Sequence, residues 1–95
     1  MAKPHLLVHH KGDNVGVVVV EDLVAGTEML CVVTEDNSDF HLTVNHDVPI
    51  GHKVSLQDFS EGDTVIKYGQ DIGKIIAPVA KGDHVHVQNL KTKRW

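Results

Sequence analysis

Gln57-Asp58-Phe59-Ser60-Glu61-Gly62-Asp63-Thr64-Val65 and Ala77-Pro78-Val79-Ala80-Lys81-Gly82-Asp83-His84-Val85 are one unit written twice. Each runs from an apolar anchor through a turn at glycine followed by aspartate, then into a β-branched stretch. Glu21-Asp22-Leu23-Val24-Ala25-Gly26-Thr27 echoes the first half of the same unit. Glycine at that point supplies the positive φ that such turns need. The repetition reads as structural rather than as a chain of ligand loops. No segment shows a 3.6-residue apolar period, and short β-branched pieces recur at intervals of about ten residues, the all-β pattern. Strands are expected near Leu6–His9, Val15–Val20, Glu28–Thr34, Phe40–Val44, His52–Leu56, Thr64–Lys67, Lys74–Ala77 and His84–Val87. Val17-Val18-Val19-Val20 is apolar on both faces and predicts a central, covered strand. Thr34-Glu35-Asp36-Asn37-Ser38-Asp39 predicts the turn of a hairpin.

The chain has 95 residues, so it forms one domain (1–95), with one modest core and no room for a deep internal active site. Four aromatics (Phe40, Phe59, Tyr68 and Trp95) leave that core to Val, Leu and Ile. A net charge of −4 gives no bulk attraction to nucleic acid or to an anionic membrane. Val15 to Val20, the longest uncharged apolar run, is far too short to span a bilayer. No charged-then-apolar leader opens the sequence, which predicts a cytoplasmic protein. The single cysteine, Cys31, excludes an internal disulfide and reads as a small buried hydrophobe. Eight histidines stand out, against about two expected at this length. His5, His9 and His46 read as solvated loop residues.

His84-Val85-His86-Val87 carries the most pointed pattern. Alternate strand residues share a face, so both imidazoles project one way and both valines the other. That geometry suits a metal ion or a carboxylate, but two nitrogens do not complete a metal site. A half-exposed polar strand face fits the pattern equally well. Pro49 and Gly51 force a turn that presents His52 and Lys53 with diverging side chains, Lys53 being free to meet an anion or water. Lys67-Tyr68-Gly69 adds a second cation beside a glycine where backbone could approach a ligand. In His10-Lys11-Gly12-Asp13-Asn14-Val15, Asp13 and Asn14 read first as turn-makers bonding to backbone. Recognition of sugar hydroxyls is the alternative.

Taken in order, His10-x-x-Asp13-Asn14-Val15, Gly51-His52-Lys53, Lys67-Tyr68-Gly69, Ile72-Gly73 and Gly82-x-His84-Val85-His86 with Asn89 resemble the small domain of altronate and galactarate dehydratases, an SAF or β-clip module. The likeness runs from residue 10 to residue 89. Gly62–Tyr68 and Val87–Trp95 look most like the small (alpha) subunit of sulfolactate sulfo-lyases, a free-standing version of that domain. Gln88 departs from the pattern, altronate dehydratases tending to have another histidine there. The resemblance implies a β-clip fold and elimination on a small anionic 2-hydroxy acid. The acid would be (2R)-sulfolactate, giving sulfite and pyruvate, or alternatively a sugar acid losing water. It implies a divalent metal, Fe2+, held mainly by a large catalytic subunit that this chain joins in a heteromer. On that footing His84, His86 and His52 are the catalytic candidates, with His84 and His86 also candidate metal ligands. Lys53, Lys67, His10, Asp13, Asn14 and Asn89 are the substrate-binding candidates. A non-catalytic β-clip that grips carbohydrate or protein is the competing class, whereas metal storage is disfavoured because the histidines are dispersed.

Overall fold

The computed structural model describes residues 3–86 and 88–92. Among the described residues there is no helix, and the strands are β1 Leu6–Val8, β2 Val15–Val18, β3 Glu28–Val33, β4 Ser38–Thr43, β5 Lys53–Ser55, β6 Thr64–Lys67, β7 Gln70–Ile75, β8 His84–Val85 and β9 Leu90–Thr92. They form a six-stranded sheet ordered β4-β3-β1-β2-β5-β8 and a three-stranded sheet ordered β6-β7-β9. Only β1 and β3 run parallel; every other pair is antiparallel. Alternation does the sorting. Met29, Cys31 and Val33 of β3 point inward while Glu28, Leu30 and Val32 stay at least partly exposed. One apolar cluster gathers Leu6, Val8, Met29, Cys31 and Val54 in the larger sheet. The other gathers Val15, Phe59, Val65, Ile75 and Val85 between the two sheets. Burial pushes the Cys31 thiol up to about 12, so it is inert filling.

Four copies of one turn hold this frame. Leu23, Val48, Phe59 and Val79 are buried anchors. Three residues on, Gly26, Gly51, Gly62 and Gly82 have φ between 88 and 93°. The next residue donates its N–H back to the carbonyl three earlier, as in His52 to Pro49 at 3.1 Å and Asp83 to Ala80 at 2.9 Å. The units work in pairs, Leu23 bridging Val48 and Phe59 bridging Val79. Asp47 accepts from the Ala25 N–H at 2.8 Å, and Asp58 from the Lys81 N–H at 2.8 Å. The two pairs therefore repeat one another down to the capping carboxylate. Sequence comparison finds three of these units; the fourth, Val48-Pro49-Ile50-Gly51-His52, is hidden by its proline and by the lack of an acid after glycine.

Other expectations are amended by the geometry. β2 is interior to its sheet, but Val19 is 36% exposed and lies beyond the strand, so Val17–Val20 is not covered on both faces. The strand expected at Lys74–Ala77 begins at Gln70, because Tyr68 and Gly69 (φ 56° and 70°) form a two-residue hairpin turn joining β6 to β7. β9 was not anticipated. His5 is no solvated loop residue: its Nδ1 accepts from the Leu30 N–H at 2.9 Å. His9 stacks on Tyr68 at 3.8 Å between ring centroids, and His46 pairs with Asp83 at 3.2 Å. Val87 and the Lys93-Arg94-Trp95 tail lie outside the described residues.

The glycine turns yield a paired test. An alanine at Gly62 meets open space and suffers only the left-handed backbone, about 1–2 kcal/mol. At Gly82 the added Cβ would stand 2.6 Å from the Thr43 carbonyl oxygen, so the backbone must move as well. Urea unfolding should show Gly82→Ala clearly less stable than Gly62→Ala; equal losses would remove the collision from the account.

Candidate functional site

The second and fourth turn units deliver the histidines. His52 follows Gly51 directly into β5, and His84 follows Gly82-Asp83 into β8. The antiparallel register sets Lys53 opposite Val85 and Val54 opposite His84. One step out from that register, His52 lies level with His86, and with a two-residue period His52, His84 and His86 share one face. The rings meet accordingly. His52 Nδ1 lies 2.8 Å from His84 Nε2. The His86 ring stacks on His52, with centroids 3.7 Å apart and planes 14° from parallel. One nitrogen of each ring falls within 4.8 Å of the other two. Local pattern paired His52 with Lys53, while the family resemblance grouped it with His84 and His86; the structure brings the three rings together.

Asn89 builds the platform. Its Oδ1 accepts from the His86 N–H at 3.0 Å and its Nδ2 donates to the His84 carbonyl at 2.8 Å. Its amide is thereby committed to holding both histidines' backbone. Gln88 Nε2 stands 3.3 Å from His84 Nδ1. Reading that contact as amide donating to ring nitrogen puts the His84 proton on Nε2, from which it donates to His52. His86 Nδ1 is buried and has no hydrogen-bond partner among the described residues.

Burial and neighbouring charge favour the neutral forms of His84 and His86. Burial first, then the neighbouring His52 and His86 rings, with His46 and Lys53, hold His84 below its ordinary value. Burial, His52 and Lys53 do the same to His86. Lys53 is itself lowered, by burial and then by Lys67. Lys53 thus lies near enough to Lys67 and to the histidines for their charges to interact, while the register that sets it opposite Val85 puts it on the other face of the β5–β8 pair from the three rings. Lys67 also lies 5.2 Å from the Tyr68 ring centroid. Beside the triad, an open cleft of about 360 Å³ is lined by His46, Asp47, Asp83, His84, Gln88 and Asn89. Its two aspartates make it the unfavourable approach for an anion. A second open cleft, about 260 Å³, sits over the Leu23–Val48 turn pair.

The remaining sequence candidates serve the β6–β7 turn. Buried Asp13 accepts from the N–H groups of Tyr68 and Gly69 at 2.9 Å each and of His10 at 3.3 Å. Asn14 accepts from the Ile66 N–H at 2.7 Å and donates to the Thr64 carbonyl at 3.1 Å, tying the start of β2 to β6. Side chain to backbone bonding is what the turn-making reading expected, but only the His10 bond lies in the residues' own turn; the others reach across to β6 and the β6–β7 turn. His10 lies 3.4 Å from Glu35. None of the three joins the triad through these bonds.

Three imidazoles with converging nitrogens and no shared carboxylate form a surface that can take a proton, hold a metal ion or contact an anion. The sequence that builds this surface matches a known module. The altronate/galactarate dehydratase SAF domain profile aligns with residues 4–93. The chain belongs to that family. It is 63% identical over 67 residues to the (2R)-sulfolactate sulfo-lyase subunit alpha of Paracoccus pantotrophus, which covers 70% of this chain and all of that one. The protein of the same name from Chromohalobacter salexigens is 45% identical over 89 residues, 94% of this chain and 95% of the relative. Altronate dehydratase of Escherichia coli is 45% identical over 83 residues, 87% of this chain but 15% of the enzyme. The SAF domain therefore occurs both as a short chain named as a subunit and as a small part of a long dehydratase.

Neutral, crowded rings set a pH dependence. With folded-state values lowered, the contribution of His84 and His86 to stability is complete above their ordinary value of 6.5 and is lost as pH falls from there through the lowered values. Urea midpoints should drop between pH 7.5 and pH 5. They should drop less in a His84→Gln/His86→Phe double variant, which keeps a ring stacked on His52 without the titration. An equal drop in both proteins would show that the triad does not titrate in this window.

Proposed function

We propose that this chain is the small subunit of a lyase that opens a 2-hydroxy acid by β-elimination, its substrate being (2R)-sulfolactate and its products sulfite and pyruvate. The observation that carries the reading is the triad: three imidazoles brought together on an open surface by two separate turn units. Its breadth without enclosure fits a half-site, to be closed by a large catalytic subunit. Two relatives that this chain nearly spans are themselves named as alpha subunits of such a lyase.

The reaction removes the proton at C2 and breaks the C3–S bond, the electron pair leaving on sulfite. The resulting enol takes a proton at C3 and becomes pyruvate. A substrate with a carboxylate at one end and a sulfonate at the other needs cations, and Lys53 and Lys67 are the nearby candidates, whereas the cleft beside His84 carries Asp47 and Asp83. Lys53 holds one anionic end, with Lys67 behind it. The imidazoles of His84, His86 and His52 supply lone pairs at the reacting centre, those of His84 and His86 kept free at neutral pH by their lowered proton affinity. A divalent metal, iron on the family resemblance, would stabilise negative charge developing on the carboxylate and 2-hydroxyl. Three imidazoles fit such an ion as donors. His10, Asp13 and Asn14 shape the rim by fixing the Lys67-Tyr68-Gly69 turn, and Asn89 positions the histidine strand.

The 45% identity to altronate dehydratase favours a second reading, in which a sugar acid loses water in place of sulfite. Copurifying the chain with its large subunit and assaying sulfite and pyruvate from sulfolactate, with altronate alongside, separates the two. The pair should turn over sulfolactate and the small chain alone should not. Conversion of altronate only would establish the second reading. In the active pair, His84→Ala or His86→Ala should lower kcat by at least about 10²-fold, the usual scale for a lost acid–base group. Near-normal turnover in both would reduce the triad to a polar strand face.

A further inference from the structure

The ion pairs of the described histidines divide them into two kinds. His10 and His46 sit on Glu35 and Asp83. The clustered three meet one another instead, where protonating any one repels the rest and a buried nitrogen of His86 has no partner. A buried nitrogen left without a hydrogen-bond partner is destabilising. A cation that accepts the lone pairs removes both penalties. We infer that His52, His84 and His86 bind one divalent first-row transition-metal ion on this chain by itself, without ligands from a partner subunit. Imidazole nitrogen suits Zn2+, Fe2+, Co2+ and Ni2+. All three histidines are partly exposed, which leaves the outward side for substrate oxygens or a group from the large subunit.

The proton account assigns a role to Gln88. His84 Nε2 and His52 Nδ1 are 2.8 Å apart and share one proton. For His84 Nε2 to bind an ion, that proton must move to Nδ1, where Gln88 now presents its amide N–H2 at 3.3 Å. Turning the exposed Gln88 amide over offers Oε1 as the acceptor of the relocated N–H. Neutral rings then release no net proton, and Gln88 acts as a positioning residue that selects the ligating tautomer. As a statement about the lyase's reacting centre this rests on the function proposed above; the binding itself can be read separately.

The test uses the full chain, stripped with chelator and titrated with Co2+ alone by calorimetry and visible absorption. One ion per chain is expected, with d–d bands. Affinity should fall at least about tenfold in each of His52→Ala, His84→Ala and His86→Ala, and by about tenfold in Gln88→Leu, the scale of a lost outer partner. His41→Ala, an exposed position on β4, should bind as the parent does. Should the triad variants unfold, the parent still decides: Co2+ must shift the ring signals of three histidines and spare His41. Binding weaker than millimolar, equal affinity in all variants, or shifts centred on other histidines would overturn the site. Binding at the triad in a chain whose assembled pair leaves sulfolactate untouched would uphold the site and sink the lyase reading. Turnover without binding would sink the site alone.

Discussion

Everything in this molecule hangs on a turn in which glycine adopts φ near +90° three residues after a buried apolar anchor. With no helix among the described residues and strands of two to six residues, no single element is long enough to hold its own place. The four turns supply the missing restraint by pairing, Leu23 with Val48 and Phe59 with Val79, each pair locked by an aspartate that caps its partner's turn. Only glycine takes that conformation cheaply, and at Gly82 the Thr43 carbonyl leaves no space for a side chain in any case. The frame is therefore set by local backbone chemistry repeated four times, with valines filling what it encloses.

The chemistry follows from that frame. The strand after the second turn pairs with the strand after the fourth, and the residues emerging from the two turns are His52 and His84. A register fixed by backbone bonds is a precise way to bring imidazoles together, because the Asn89 amide and the β5–β8 ladder position them without their ring nitrogens taking part. Those nitrogens stay available. The same frame leaves the three histidines partly exposed, so a small anion can reach the cluster but cannot be enclosed by it. Elimination at a carbon beside a carboxylate needs exclusion of water and a second set of groups across the substrate. A large subunit is the natural source of both, which is how a chain of this size can belong to a lyase and still lack a closed active site.

How far the residues foretold this depended on the distance over which each effect acts. The His84–His86 face was legible because a two-residue period is local, whereas His52 joined that set only through the family resemblance, since its meeting with them depends on a register between segments 32 residues apart. Asp13 and Asn14 were legible as groups that bond to backbone, but their partners were not, lying 50 to 56 residues away. The early start of β7 was missed because its turn places Tyr68 at φ 56°, an unusual residue for that conformation, held by an Asp13 that lies 55 residues away. His5 and His9 looked solvated for the same reason, since Leu30 and Tyr68 come to them only through the fold, whereas His46 is an exposed loop residue as expected, with Asp83 beside it.

A structure of the chain assembled with its large subunit and a bound, unreactive sulfolactate analogue tests the central claim most directly. The account predicts the substrate lying in the seam between the subunits, with nitrogens of His52, His84 or His86 within bonding distance of it or of an ion that it ligates. The analogue should also have an anionic end toward Lys53. An analogue enclosed wholly by the large subunit, with the three histidines facing solvent, would contradict it.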